Sequence, residues 1–182
     1  MKESTSRRLF LQKSALATTG VALLSSGIAN AFSSENPYHG YNPYSEEKTD
    51  LRTTIFEKHV RIKGTVYDKT GTTPLPNATI EVWHLSPNST KYRHRGKLKT
   101  NDTGEYNFIT DFPNKAETLT ARIYFKINYK GDSYFTELAV GESCVNITSK
   151  HWEENQQLED KLFPTSEQFL NTTTINFNVS IN

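Results

Sequence analysis

The sequence lacks the features that would place it in several large functional classes. It has one cysteine, Cys144, among 182 residues, so no internal disulfide can form and stability must come from a packed core. Cys144 lies in a strand-like run, and we expect it to be a small core residue. The 21 Lys and Arg residues nearly balance the 20 Asp and Glu residues. Without a basic stripe, the sequence argues against a nucleic acid partner.

The sequence also lacks a membrane span, a glycine-rich phosphate loop and a nucleophile elbow. Its main apolar run, residues 15–28, is shorter than the ~20 residues of a spanning helix. Arg7 and Arg8 precede that run and the small residues Ala29 and Ala31 follow it. This pattern predicts a twin-arginine-type signal peptide over residues 1–31, which is removed. We therefore expect an exported protein of the bacterial periplasm or cell envelope, with no stable membrane span after cleavage.

The rest of the chain predicts an extended arm over residues 32–57 and one domain over residues 58–182. The arm is rich in Ser, Asn, Pro and Tyr and has no helical period. In the domain, short apolar and polar alternations are separated by Gly and Pro turns, which is typical of an antiparallel β-sandwich. Aromatic residues make up 12% of the sequence, enough to fill a sandwich core.

The alternating apolar and polar segments, together with the turns between them, predict the individual strands. Residues 60–66 and 78–83 predict two paired strands joined by a turn at Gly71, and Gly104 predicts a second hairpin turn. Residues 119–129 and 134–140 predict another hairpin. A basic loop over residues 93–99, a short helix around residues 152–162 and a last strand over residues 174–181 complete the set.

Three motifs, taken in order, resemble the core of the intradiol ring-cleavage dioxygenases, the catechol and protocatechuate dioxygenase family. They are GTVYD at residues 64–68, EVWH at residues 81–84 followed by Tyr92, and TNDTGEYNF at residues 100–108. The resemblance covers roughly residues 58–140. It implies a β-sandwich of the intradiol dioxygenase type and a ferric ion held by two tyrosinates and two histidines. Phenolate oxygens are hard anionic donors, which stabilise Fe(III).

The sequence departs from that family at three of the four expected ligands. Tyr92 matches the first tyrosine, but no tyrosine follows Pro113, where the second is expected. Arg122 and Tyr124 stand where the resemblance implies two histidines. An arginine side chain stays protonated and cannot donate a lone pair to a metal. We therefore expect no cofactor, and ferric iron only if the family activity survives.

The residues at and near the expected iron site form one set of pocket candidates, and among them only Tyr92 is a metal ligand at its family position. We hypothesise that Arg122 pairs with Glu137 in this pocket, in the place of the metal. No catalytic residue is assigned. The pocket candidates are Trp83, Tyr92, Arg122, Tyr124 and Glu137.

Three functions stay open. The first is a protein that has lost the ferric site and binds a small aromatic or sugar ligand, or acts structurally. The second is an altered non-haem iron oxidoreductase on catechol-like aromatics, with iron held by Tyr92, His94, Tyr124 and Glu137 and with His84 close by. The third is a transthyretin-like or carboxypeptidase-regulatory-like sandwich module. The sequence predicts neither an oligomeric state nor a second subunit.

Overall fold

A computed structural model describes residues 39–115, 120–142 and 144–181. From Gly40 onward they form one compact unit. Within these described residues, ten strands form two five-stranded sheets, which confirms the expected all-β sandwich. The predicted signal peptide, the start of the predicted arm and residues 116–119, which include the predicted start of a strand, lie outside the described residues.

The elements follow the chain in a simple order. The strands are β1 (His59–Tyr67), β2 (Thr79–His84), β3 (His94–Lys99), β4 (Glu105–Asp111), β5 (Ala121–Tyr129), β6 (Asp132–Val140), β7 (Val145–Ile147), β8 (Thr165–Phe169), β9 (Thr172–Asn176) and β10 (Val179–Ser180). Between β7 and β8 lie a helix, α1 (Ser149–Glu154), and a 3₁₀ helix (Gln156–Leu162). Among the described residues, no helix is long and apolar enough to cross a membrane.

The two sheets differ in their pairing. In sheet I, β1 pairs antiparallel with β4 on one edge and parallel with β9 and β10 on the other, and β8 pairs with β9. Sheet II is antiparallel throughout, in the order β3-β2-β5-β6-β7. The sandwich is therefore mixed rather than purely antiparallel.

The core lies between the sheets because the strands alternate, so every second side chain faces inward. On β5, Ile123, Phe125 and Ile127 are fully buried while the residues between them are half-buried. Phe125 packs against Phe177 with ring centroids 5.2 Å apart. Burying one side chain of this size contributes roughly 1.5–3 kcal/mol.

The arm joins both sheets along one side of the sandwich. The Lys48 N–H donates to the Lys97 carbonyl of β3 at 3.0 Å, and the Leu51 N–H donates to the Ile109 carbonyl of β4 at 2.8 Å. Leu51 is buried in the core. The arm thereby covers the gap between β3 and β4, which are not paired with each other.

Two of the expected hairpins are wrong. β1 pairs with strands of sheet I and β2 with strands of sheet II, so the turn at Gly71 crosses between sheets. The turn at Gly104 forms, with φ +73°, but it also crosses, from β3 to β4. Alternation along a strand reports which face is buried and does not report the partner strand. The hairpin between β5 and β6 is confirmed.

Other local predictions need correction. The basic loop is strand β3, in which His94, Gly96 and Leu98 face inward and the basic residues face outward. The last strand is split into β9 and β10, and β8 was missed because its residues are all exposed. The helix is confirmed, with a break at Asn155.

The expectation for Cys144 is wrong. Its side chain is exposed, in the turn that joins β6 to β7, where the Gly141 N–H donates to the Cys144 carbonyl at 2.8 Å. The turn places the residue before β7 begins, outside the alternation that would have buried it.

Candidate functional site

The candidate residues lie on the outer face of sheet II. On β5, Arg122 and Tyr124 alternate with the buried core residues and so face outward. Trp83 of β2 and Glu137 of β6 both stand directly opposite Tyr124. The register thus brings three candidates into one row across three strands, with Arg122 beside it.

Arg122 and Glu137 form an ion pair in which Nη1 donates to Oε1. The guanidinium side chain is 30% exposed and the carboxylate side chain 13% exposed. Burial raises the pKa of Glu137, and Arg122 only partly offsets that rise. The contact is the one hypothesised from the sequence.

Tyr92 lies in the loop between β2 and β3 and is held by the arm. A Cβ atom on Gly40 would lie 2.1 Å from Cγ of Tyr92, and Gly40 has a φ of +80°. Only glycine tolerates both that backbone conformation and that contact. The close approach therefore fixes the Tyr92 ring between the arm and sheet II.

Tyr92 and Tyr124 are neighbours, with ring centroids 6.2 Å apart. Burial raises the pKa of Tyr124 to about 12, and the neighbouring Tyr92 and Glu137 add to the rise. At neutral pH the Tyr124 phenol is therefore protonated. Its hydroxyl can donate a hydrogen bond.

Aromatic rings fill the rest of the row. Trp83 stacks on Tyr124 at 5.6 Å and is tilted against Tyr41 of the arm at 5.2 Å. Tyr41 donates from its hydroxyl to Glu81 at 3.1 Å, and the Lys126 ammonium lies 5.0 Å from its ring centroid. Trp83 is only 2% exposed as a result. Most of the candidate side chains are therefore in contact with one another or with the arm.

These residues do not fit a ferric ion. Arg122 brings a positive charge beside Tyr124, and Glu137 is already engaged by Arg122. A cation at this position would meet electrostatic repulsion from the guanidinium. In the part of the chain that the structure describes, no group of three His, Cys, Asp or Glu residues could hold a metal ion.

The alternative iron set is divided between the two faces of sheet II. His94 and His84 pair with each other across β3 and β2, and both are buried on the inner face. Tyr124 and Glu137 project from the outer face. Because alternate residues of a strand point to opposite sides, the two pairs cannot share one ion.

Sequence reasoning missed a buried polar network at one end of the sandwich. His84 stacks on His94 with ring centroids 4.8 Å apart. His94 Nε2 donates to Oδ2 of Asp111 at 2.9 Å, and His59 Nε2 lies 3.4 Å from Oδ1 of the same carboxylate. His94 Nδ1 and the Ser86 hydroxyl share a hydrogen bond of 2.8 Å.

Two pKa shifts indicate the charge of His84 and of Asp111. Burial lowers the pKa of His84 to about 3, so His84 is neutral. Burial alone would raise the pKa of Asp111, but hydrogen bonds from Thr53 and His94 outweigh it and lower that pKa. The ionised carboxylate connects Thr53 of the arm with the ends of β1, β3 and β4. Each of the three histidines, like Asp111, is the first or last residue of its strand, and that spacing was the available signal.

A groove of about 720 Å³ lies on the other sheet. Residues of β4, β1, β9 and β8 line its floor, and none of the five pocket candidates contributes to it. The candidate cluster and this groove are therefore separate features of the surface.

Comparisons with solved structures show the fold. The dioxygenase domain of a dioxygenase carbohydrate-binding protein fusion from Streptomyces sp. SirexAA-E matches with a TM-score of 0.60 at 18% identity, over 81% of this chain and 94% of that one. An intradiol ring-cleavage dioxygenase from Tetranychus urticae matches with a TM-score of 0.60 at 16% identity, over 81% and 91%. The 3-chlorocatechol 1,2-dioxygenase from Rhodococcus opacus 1CP matches with a TM-score of 0.56 at 17% identity, over 80% and 70%.

No protein-family profile and no curated protein sequence matches the chain. At these identities the structural matches establish the fold of the intradiol ring-cleavage dioxygenases, as the sequence motifs indicated. They do not establish the chemistry, because function depends on the side chains at the site.

Proposed function

We propose that this chain, which has the fold of the intradiol ring-cleavage dioxygenases, is an exported binding or structural protein of the bacterial cell envelope that has no ferric centre. A small aromatic compound or a sugar is the proposed ligand class. The proposal combines the fold with the replaced ligand positions and with the export pattern of residues 1–31.

The observation that carries the proposal is the Arg122–Glu137 ion pair beside Tyr124. A guanidinium remains charged at any physiological pH and repels a cation at contact distance. Moving it away would leave Glu137 without its partner in a largely buried position. The ion pair thus opposes iron both by its charge and by occupying the nearest carboxylate.

The small number of tyrosines at the expected ligand positions supports the same conclusion. Intradiol chemistry needs two phenolates that bind Fe(III). Tyr92 matches its family position, but one tyrosine is an insufficient ligand set. The structural match to a dioxygenase domain fused to a carbohydrate-binding protein supports including sugars among the ligands to test.

Metal analysis and oxygen uptake on the purified mature protein test the proposal. We expect less than one-tenth of an equivalent of iron, no visible tyrosinate-to-iron absorption band, and no oxygen consumption with catechol or protocatechuate. One equivalent of iron together with oxygen uptake would instead establish an altered oxidoreductase. Cell fractionation with an Arg7→Lys/Arg8→Lys variant tests export, which we expect that variant to lose.

A further inference from the structure

The groove on the outer face of sheet I has the properties of a binding site. Its volume is about 720 Å³, within the range of small-molecule sites. The strand floor is bordered on one side by Leu98 and Lys99 at the end of β3 and by Thr49 of the arm. A sheet face closed in by a neighbouring strand and the arm gives a ligand contacts on more than one side.

The register of sheet I aligns polar side chains across the groove. Lys63 of β1 stands opposite Asn107 of β4 and opposite Asn176 of β9. Asn176 in turn stands opposite Thr165 of β8. Three strand spacings make this row about 14 Å long. A second row lies beside it, in which Thr174 stands opposite Glu167.

Several of these side chains are available to a ligand. Within the described parts of the chain, Lys63, Thr174 and Asn176 have no side-chain hydrogen-bond partner. Asn107 accepts only a long contact from Arg61, at 3.3 Å. This contrasts with the candidate cluster on sheet II, in which Arg122, Glu137 and the aromatic rings contact one another.

The charges of the groove determine the ligand chemistry. Lys63 and Lys99 are balanced by Glu105 and Glu167, so neither an anion nor a cation is favoured. The one aromatic ring in the lining, Tyr106, is 4% exposed and its hydroxyl donates to the Phe177 carbonyl. Stacking of a flat apolar ligand therefore has no platform here.

We propose that this groove binds a neutral, hydroxyl-rich oligosaccharide, through the ammonium group of Lys63 and the amide side chains of Asn107 and Asn176. Amide groups both donate and accept, which matches adjacent sugar hydroxyls. The inference rests on the proposed binding function, and it places the ligand on sheet I rather than at the candidate cluster on sheet II.

Titration calorimetry with cellohexaose, maltohexaose and chitohexaose tests the inference on the mature protein. We expect at least one of the three to bind, with an affinity that 0.5 M NaCl leaves unchanged because the ligand is neutral. Asn176→Ala is expected to weaken binding about 3- to 10-fold, the value of one or two neutral hydrogen bonds. Asn146→Ala, on the exposed strand β7 of sheet II, is the matched control and should bind normally.

Other results would overturn the inference. They are no binding of any of the three sugars, equal loss in the Asn146→Ala control, or loss in Tyr124→Phe with Asn176→Ala unaffected. The last result would place a sugar at the candidate cluster and leave the proposed binding function standing. Iron content, measured on the same preparation, tests the absence of a ferric centre independently of sugar binding.

Discussion

Replacing Arg122 by alanine should destabilise the protein, and by less at low pH than at neutral pH. The change removes the partner of Glu137, whose side chain is 13% exposed. Removing one partner of a fully buried ion pair costs about 3–5 kcal/mol, whereas an exposed pair contributes about 0–1 kcal/mol. Arg122 is 30% exposed, so the pair lies between these limits. We expect a loss of about 1–2 kcal/mol in the free energy of unfolding at pH 7.5.

The pH dependence follows from the direction of the Glu137 shift. Burial raises the pKa of Glu137 in the folded protein, so the charged form costs stability at neutral pH. Without Arg122 that pKa rises further, and protonation removes the cost as the pH falls through the folded-state pKa. The destabilisation caused by Arg122→Ala should therefore shrink between pH 7.5 and pH 5.

Urea unfolding of the wild type and variants at both pH values measures the effect. Adding Glu137→Gln to Arg122→Ala removes the unpaired charge and should recover part of the stability at pH 7.5. Arg61→Ala is the matched control, since Arg61 makes only a 3.3 Å contact with Asn107. The reasoning is refuted if Arg122→Ala matches this control at pH 7.5, or if its destabilisation grows as the pH falls.

Two further predictions concern buried groups and backbone contacts. His84 has a folded-state pKa of about 3, so its contribution to stability is present above the unfolded value of 6.5 and is lost as the pH falls between the two. Between pH 7 and pH 4.5, the free energy of unfolding should therefore decrease by about 2–3 kcal/mol less in His84→Gln than in the wild type. An equal decrease in both proteins would contradict the assignment of a neutral buried imidazole. Gly40→Ala should lower the thermal midpoint much more than Gly131→Ala, because both residues have positive φ but only Gly40 lies against Tyr92, whereas nothing lies within 4 Å of a Cβ on Gly131. Equal losses in the two alanine variants would show that the Tyr92 contact does not constrain the arm.

The side chains of the candidate cluster on sheet II stabilise one another. The Arg122–Glu137 pair compensates charge on the outer face, and Trp83, Tyr124 and Tyr41 pack over one another there. A buried polar group that has no partner destabilises a protein by about 1–3 kcal/mol. The ion pair with Arg122 avoids this cost for Glu137.

The sequence predicted the strands that carry the candidate site because each has a local signal. Alternation over β5 placed Arg122 and Tyr124 on one face and Ile123 and Phe125 on the other, and the structure agrees. The expected contact between Arg122 and Glu137 follows from the β5–β6 hairpin, whose turn at Gly131 is also a local signal. The sequence pattern therefore predicts contacts between residues of adjacent strands that are joined by a short turn.

Predictions failed where the partners are distant in sequence. Alternation buried Ile62 and Ile80 correctly but could not show that β1 and β2 belong to different sheets. The same limit hid the groove, since its central row joins Asn107, Lys63 and Asn176 from three separated strands.

By itself, the sequence determined which side chains face inward and which residue types occupy the expected ligand positions, because both follow from local periodicity and motif order. Only the tertiary structure decided that His84 and His94 lie on the opposite side of sheet II from Tyr124, and that the Asp111 carboxylate lies beside histidines from two other strands, His59 of β1 and His94 of β3. The physical reason is that strand pairing is set by the summed burial of both sheets, a property of the whole chain that no single segment encodes.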